Sequence, residues 1–280
     1  FDKDISLAIS EQYLPIGLNS IVPKKPFSLT LSITDKIDTL VGFFGINEKP
    51  TSSKDPLALR RIALGIIRTT IENKKNLKIN DLLNYSSRLY DDQGYNLENK
   101  DLEKELQDFL KDRFRYYLKE KEIRYDIIEA SLSSFSLNKL FSSFEKAKCL
   151  NKVINSQIGI DINSSYKRAS NILDYEMKNN EIEINDTTDP GIFRSDFEKN
   201  LYKKINDIKK YYSTISSDEN CEKSLSILAE TKKEVFDFFD NVKVNEDNET
   251  LRKNRLELIN MLCKTFQNYI NFRFLKAHNE

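Results

Sequence analysis

The sequence predicts an all-α fold. Apolar residues recur every three or four positions through most of the 280 residues, which is the period of a helix with one buried face. No segment sustains the alternation of period two that a half-buried strand requires, and no repeat of fixed length occurs. Only seven glycines and six prolines interrupt the chain. These three observations together favour a helical protein.

The first predicted helix ends before Pro15, because proline disfavours the α conformation in the residue that precedes it. The second begins near Leu29, after a loop rich in proline and glycine, and Gly45 is a suitable stop. Asp55 and Pro56 suit the start of the third, since a carboxylate and a residue without an amide hydrogen both fit a helix N-terminus. The predicted helices cover 4–14, 29–45, 56–74, 79–90, 100–120, 123–132, 136–154, 164–178, 193–212, 221–240 and 249–272.

The clearest amphipathic segment covers 100–120. Its apolar residues repeat at spacings of three and four and predict one buried stripe; they are Leu102, Leu106, Phe109, Leu110, Phe114, Tyr117 and Leu118. The turn-forming residues of 91–96 (DDQGYN) mark a candidate boundary between domains. The polar stretch 179–191, which ends in Pro-Gly, is predicted to be a loop.

Composition limits the possible functions. Lys+Arg and Asp+Glu balance at 44 each, so any binding of a polyanion has to come from local patches. No apolar run approaches the ~20 residues of a membrane span, and no secretory leader opens the chain. Because residue 1 is Phe, we expect a piece of a longer protein. The three cysteines are widely spaced without a CxxC pair, which favours reduced thiols in a cytosolic protein.

No catalytic or metal site is predicted. Asp35 and Asp38 lie one helical turn apart, but metal sites on helices usually add histidines or further carboxylates. The sole histidine, His278, lies two residues from the end, so no serine or cysteine has a histidine partner in prospect. The segment KPTSSKD lacks the glycine-rich loop of a phosphate cradle. Instead, five charged residues are expected to form structural ion pairs that lock two helices together: Asp35, Asp38, Asp55, Arg60 and Arg61.

Basic residues near aromatic ones are the better functional lead. Phosphates attract the cations and unpaired bases stack on rings, so such patches suit RNA. An equally simple interpretation is a solvated face with intramolecular ion pairs. One patch lies in 111–125, where six basic residues alternate with three tyrosines. The others surround Lys167-Arg168 and the segment 252–255.

Several motifs resemble the β subunit of bacterial heterotetrameric glycyl-tRNA synthetase. The resemblance is densest where DKIDTLVGFF (35–44) is followed by KPTSSKDPLALRR (49–61). Further matching segments follow in the family's order: YLP (13–15), FLKDRFRYYL (109–118), YDIIEASL (125–132), YKRASNIL (166–173), VFDFFDNVKV (235–244) and LRKNRLELINML (251–262). The last three resemble a DALR-type anticodon-binding domain. One departure is Gln12, where the family often has histidine.

The resemblance implies three segments. These are the C-terminal part of an HD-like helical domain at 1–90, a helical linker at 91–163, and a DALR-like anticodon-binding bundle at 164–280. It further implies that the chain contacts tRNA-Gly within an α2β2 glycine–tRNA ligase of the cytoplasm, without a membrane. The α subunit would hold the aminoacylation site and use ATP with Mg²⁺, so no cofactor and no catalytic residue is expected here. Six residues in the matching motifs are the predicted tRNA contacts: Lys167, Arg168, Asn171, Arg252, Asn254 and Arg255.

Three alternatives stay open at this point. Asn171 and Asn254 could equally satisfy buried backbone groups, and the FFD motif (238–240) is better explained as core and turn than as a stacking platform. The chain could also be an HD-type metal-dependent phosphohydrolase, although the histidine count disfavours that activity. Finally, it could be a helical scaffold that docks the α subunit without binding RNA.

Overall fold

The computed structural model describes residues 2–17, 19–179, 183–214 and 220–276. These residues form helices and no strand, which confirms the all-α class. The α-helices are α1 Lys3–Glu11, α2 Pro26–Gly45, α3 Leu59–Glu72, α4 Ile79–Asp92, α5 Leu102–Glu120, α6 Tyr125–Leu132, α7 Leu140–Val153, α8 Gln157–Asn179, α9 Asp196–Thr214, α10 Cys221–Ala229, α11 Lys232–Asn241 and α12 Glu249–Gln267. Short 3₁₀ helices cover Leu137–Lys139, Pro190–Ile192 and Phe272–Phe274. None of the described helices is both long and apolar enough to cross a bilayer.

The chain divides into two compact units. Unit 1 comprises Phe1–Glu122 and Phe135–Phe144, and unit 2 comprises Ile123–Ser134 and Glu145–Glu280. Two predicted features lie partly or wholly outside the described residues: the polar loop predicted at 179–191, of which 180–182 are not described, and His278. The three segments suggested by the family resemblance remain a prediction.

Unit 1 is built around α2, which packs against α1, α3, α4 and α5. The sequence periodicity identified its inward face correctly, since Ile33, Ile37, Leu40, Val41 and Phe44 are all at most 3% exposed. The stripe on α5 is buried in the same way, apart from the half-buried Phe109, whose ring lies 4.9 Å from that of Phe44. The core of unit 1 therefore follows from local patterning alone.

Unit 2 is organised by α8, which contacts α10, α11, α12 and the 3₁₀ helix Phe272–Phe274. Helix α9 packs against α11 and α12 on another side. Tyr166 of α8 is only 1% exposed and its ring lies 5.9 and 5.8 Å from those of Phe266 and Phe272. This aromatic cluster fixes the C-terminal helix against α8.

Several predicted helices have different bounds: α2 begins at Pro26 and not near Leu29, α8 begins at Gln157 and not at 164, and α12 ends at Gln267 and not at 272. Two further differences are larger. The helix expected at 56–74 begins at Leu59, because Ala58 adopts a left-handed conformation (φ 55°) and Asp55 caps the turn that follows. The helix expected at 221–240 is two helices, α10 and α11. Between them Thr231 is buried and donates its hydroxyl hydrogen to the carbonyl of Leu228.

The cysteines also differ from the reduced state that the sequence favours. Cys149 of α7 and Cys221 of α10 form a disulfide, although 72 positions separate them in sequence. The fold places their Cα atoms 6.3 Å apart, within the usual range for a bridge. The third cysteine, Cys263, is buried and free, and burial raises the pKa of its thiol to about 12.

Candidate nucleic-acid interface

Helix α8 presents two of the six predicted tRNA contacts to solvent. Its inner face is formed by residues at most 4% exposed, namely Ile162, Tyr166, Ala169 and Leu173. Lys167 and Asn171 lie one turn apart on the outer side, where Asn171 is exposed and Lys167 half-buried. In the described residues neither side chain takes part in an ion pair. Both are therefore available to a ligand.

Arg168, between them, is held by α11. Its guanidinium carbon lies 4.8 Å from the ring centroid of Phe236 and 5.2 Å from that of Phe239, distances typical of cation–π contacts. One of its Nη atoms donates to a carboxylate oxygen of Asp240 at 2.6 Å. Phe238, in contrast, is fully buried. The FFD motif thus supplies one core residue and two residues that position Arg168.

Phe236 was not among the residues that sequence analysis singled out. It and Phe239 are three positions apart on α11 and share one half-buried edge of the helix. That spacing was visible in the sequence, but its meaning depends on Arg168, which lies some 70 positions away. Together the three residues form an arginine–aromatic cluster next to Lys167 and Asn171. This cluster and the α8 face make up the candidate interface.

Asn254 has a structural role. It is 2% exposed, and its Oδ1 accepts hydrogen bonds from the Thr188 hydroxyl at 2.8 Å and the Asp189 amide at 2.7 Å. Its Nδ2 donates to the Asp189 carbonyl at 3.0 Å. All of its amide group is therefore committed to the loop before Pro190. The sequence allowed Asn254 to be either a tRNA contact or a residue that satisfies buried backbone groups. The structure supports the latter role.

Arg255 is likewise directed inward. Its Nε donates to Glu198 Oε1 at 2.9 Å, and its Nη1 donates to the Lys243 carbonyl at 2.7 Å and to Glu246 at 3.2 Å. Arg255 is 6% exposed and Glu198 is fully buried. The pair connects α12 to the start of α9, because Glu198 lies in the first turn of that helix. An arginine so enclosed cannot reach a phosphate on the surface.

Glu198 also closes a capping box at the start of α9. Its Oε2 accepts from the amides of Arg194 and Ser195, both at 2.8 Å, while Ser195 Oγ accepts from the Glu198 amide at 3.3 Å. Burial pushes the pKa of Glu198 upward, but the bonds from Arg255 and from these two amides outweigh it and hold the pKa below its ordinary value. The carboxylate is thus ionised and fully bonded.

The remaining predicted contacts lie near the start of α12. Arg252 is half-buried, and its Nη1 contacts Asn245 Oδ1 at 3.4 Å. Its Nε is buried without a hydrogen-bond partner among the described residues. It is therefore less committed than Arg255, which lies one turn further along the same helix. Of the six predicted residues, four keep side chains that could meet a ligand: Lys167, Arg168, Asn171 and Arg252.

The five charged residues predicted to lock two helices do not pair with one another within the described chain. Asp55 instead accepts hydrogen bonds from the amides of Leu59 at 2.8 Å and Arg60 at 3.1 Å, so it caps α3. Asp35 accepts from Gln12 Nε2 at 2.8 Å, the Arg60 guanidinium donates to the Thr51 carbonyl, and Arg61 and Asp38 are exposed. Backbone groups thus satisfy Asp55 and Arg60, a side-chain amide satisfies Asp35, and Asp38 and Arg61 face solvent.

The geometry around Gln12 does not suit a metal ion. Gln12 stands at the position of the family's histidine, and there it donates to the carboxylate of Asp35. The ammonium of Lys36 donates to the Gln12 carbonyl at 3.2 Å. A donating amide and a neighbouring ammonium disfavour a cation, and the described residues contain no cluster of three or more His, Cys, Asp or Glu able to hold one. The phosphohydrolase alternative therefore finds no support in this geometry.

Two parts of the chain match known protein families. Residues 162–274, which include most of α8 and all of α9 to α12, match the DALR anticodon binding domain. Residues 1–133 match the glycyl-tRNA synthetase beta subunit family. The helical bundle of unit 2 is therefore a DALR-type domain. The α8 face and the arginine–aromatic cluster lie on this domain.

Curated relatives agree with both matches. The glycine–tRNA ligase beta subunit of Rickettsia canadensis is 37% identical over 276 residues, which is 98% of this chain and 39% of the relative. Those of Cereibacter sphaeroides and Dinoroseobacter shibae are 31% and 30% identical over 93% and 94% of the chain. The chain belongs to the glycyl-tRNA synthetase β-subunit family. It spans about two-fifths of the length of the relatives it matches, 37–40% in these three.

Proposed function

We propose that unit 2 binds the anticodon limb of tRNA-Gly and that the chain acts within the β subunit of a glycine–tRNA ligase. The main support is the match of the α8–α12 bundle to an anticodon-binding domain. The half-buried Lys167 and the exposed Asn171, beside Arg168 and its aromatic partners, provide the chemistry on that bundle. Cations contact phosphates and give affinity, whereas amides and rings contact bases and give discrimination.

In this proposal the chain positions RNA and performs no chemistry. The α subunit of an α2β2 assembly in the cytoplasm holds the aminoacylation site and uses ATP with Mg²⁺. Binding of the anticodon limb by the β subunit then helps to place the acceptor end in that site.

The test is binding of a tRNA-Gly transcript to the full chain, measured by fluorescence anisotropy across salt concentrations. The logarithm of the association constant should fall linearly with the logarithm of salt. Lys167→Ala should weaken binding to cognate and non-cognate tRNA alike and lower the salt slope by about 1, as expected for one phosphate contact. Lys199→Ala, an exposed lysine of α9 already paired with Asp196, is the matched control.

Absence of tRNA binding at low salt would refute the proposal. If the chain then still co-purified with the α subunit, the scaffold alternative would hold instead. Equal losses in Lys167→Ala and Lys199→Ala would mean that only net charge matters, and the α8 face would no longer be the interface.

A further inference from the structure

Unit 1 contains an arginine-rich cleft that the proposed anticodon contacts do not use. It lies between α3, α5 and the loop after α1, and its volume is about 350 Å³. Its lining includes Arg60, Arg61, Arg68, Arg113, Gly65 and Tyr116, and none of the described residues that line it is acidic. Four cations around a cleft without a carboxylate form a local positive field in a chain of zero net charge.

Two of these arginines are already bonded and form the wall of the cleft. Arg68 is 7% exposed; its Nε donates to Glu72 at 2.8 Å and its two Nη atoms donate to the carbonyls of Gly17 and Ser20. These bonds hold the loop after α1 against α3. Arg60 donates to the Thr51 carbonyl. Both are therefore structural, and their charges still contribute to the field.

The other two arginines are uncommitted. Arg61 is exposed, and within the described residues its side chain makes no ion pair or hydrogen bond. Arg113 has its Nε buried without a hydrogen-bond partner in the same part of the chain. The neighbouring carboxylate, Asp112, pairs with Arg115 and not with Arg113. A buried, unsatisfied guanidinium N–H in a cleft indicates a missing acceptor.

An aromatic ring completes the site. Tyr116 lies one turn after Arg113 on α5, and the guanidinium carbon of Arg113 is 5.9 Å from its ring centroid. Tyr116 lines the cleft and is 38% exposed, so its side chain is accessible to a ligand. Opposite, Gly65 lets α3 approach the buried side chain of Lys36, since a Cβ there would lie 2.9 Å from the lysine Cε.

We propose that this cleft binds a nucleotide through its phosphate, with Arg61 and Arg113 on the phosphate and Tyr116 against the base. The planar fork of arginine matches phosphate oxygens in a bidentate way, and a tyrosine face accepts any base by stacking. The volume lies at the lower end of the ~300–1,000 Å³ of small-molecule sites, which suits one nucleotide. The phosphate can belong to a free nucleotide or to one unit of a single-stranded RNA. This inference concerns unit 1 and does not rest on tRNA binding by unit 2.

The experiment uses the full chain and three probes: AMP, inorganic phosphate, and a fluorescein-labelled tetranucleotide RNA. AMP and phosphate are titrated by NMR amide shifts, and RNA by anisotropy. The variant Arg61→Ala/Arg113→Ala should weaken AMP or RNA binding at least about 10-fold, because charge-assisted hydrogen bonds are lost. Tyr116→Leu should weaken AMP binding about 10-fold through lost stacking while phosphate binding stays unchanged.

The matched control is Arg115→Ala/Lys119→Ala, which removes two cations from α5 outside the cleft. Among the described residues neither Arg61 nor Arg113 makes a side-chain hydrogen bond or ion pair, so thermal melting by circular dichroism should show that the cleft variant stays folded. Loss with AMP identifies a free nucleotide, and loss with RNA alone identifies a strand; either supports the proposal. No binding of AMP or RNA to the unaltered chain, or equal losses in the cleft and control variants, would overturn it, whatever Lys167→Ala does to tRNA.

Discussion

Arg255→Met separates a structural role from an RNA-binding role at the same residue. The substitution keeps most of the side-chain volume and removes the guanidinium that bonds Glu198, the Lys243 carbonyl and Glu246. Glu198 is fully buried, so its carboxylate would lose its only cationic partner while staying out of reach of water. The structure therefore predicts a loss of stability in unit 2 and no specific loss of RNA contacts.

The size of the loss follows from the burial of the pair. Removing one partner of a buried ion pair costs about 3–5 kcal/mol, because the other charge remains uncompensated. The amides of Arg194 and Ser195 still hold Glu198 Oε2, which places the expected cost near the lower end, about 3 kcal/mol. With a urea m-value of about 2 kcal/mol/M, the unfolding midpoint should fall by about 1.5 M.

The effect should depend on pH in a defined direction. The pKa of Glu198 is lower in the folded chain than its ordinary value of 4.5. The pair therefore contributes its full stability above pH 4.5 and loses it as the pH falls through the lower folded pKa. The difference between the unaltered chain and Arg255→Met should be largest near neutral pH and shrink in acid.

Urea denaturation followed by circular dichroism measures the stability, and tRNA anisotropy under folding conditions measures the binding. Arg252→Met is the matched control on the same helix; being half-buried with one weak contact, it should change the stability by less than about 0.5 kcal/mol. If Arg255→Met kept its midpoint and lost affinity for tRNA, Arg255 would be an RNA contact and the structural assignment would be refuted.

Two further predictions concern unit 1. Burial lowers the folded pKa of Lys36 from 10.5 to about 8, although the negative charge of Asp35 acts in the opposite direction. Between these two pH values the unfolded chain binds more protons than the folded chain. The free energy of unfolding should therefore rise by up to about 3 kcal/mol from pH 7 to 10.5. Urea midpoints across that window should show the rise in the unaltered chain and not in Lys36→Met. Asp55→Ala removes the cap on the amides of Leu59 and Arg60, and should cost about 0.5–2 kcal/mol, whereas Asp38→Ala, at an exposed position, should cost less than about 0.5 kcal/mol on the same urea curve.

The core of each unit could be predicted from local patterning because the residues on the apolar face of a helix are spaced three and four positions apart. That is why the inner residues of α2 were identified correctly. The same reasoning did not predict the break between α10 and α11. The helical period continues through Thr231, so the sequence pattern does not indicate that α10 ends at Ala229 and α11 begins at Lys232.

The candidate site was harder to predict because its decisive contacts are distant in sequence. Asn254 bonds a loop 65 positions away and Arg255 bonds a carboxylate 57 positions away. A motif such as LRKNRLELINML shows polar residues without showing which of them face inward. Charge and amide groups suit RNA and buried hydrogen bonds equally well, so residue type alone could not separate the two roles.

Existing contacts within the protein also distinguish the remaining candidates on α8, Arg168 and Lys167. The charge of Arg168 is already partly compensated by Asp240, whose carboxylate oxygen lies 2.6 Å from one Nη atom, so a phosphate at Arg168 competes with an existing ion pair. Lys167 has no bonded carboxylate among the described residues and faces no such competition. Affinity from this face should therefore depend mainly on Lys167. Arg168, whose guanidinium carbon lies 4.8 Å from the Phe236 ring centroid and 5.2 Å from that of Phe239, is better suited to contact a base than to supply charge.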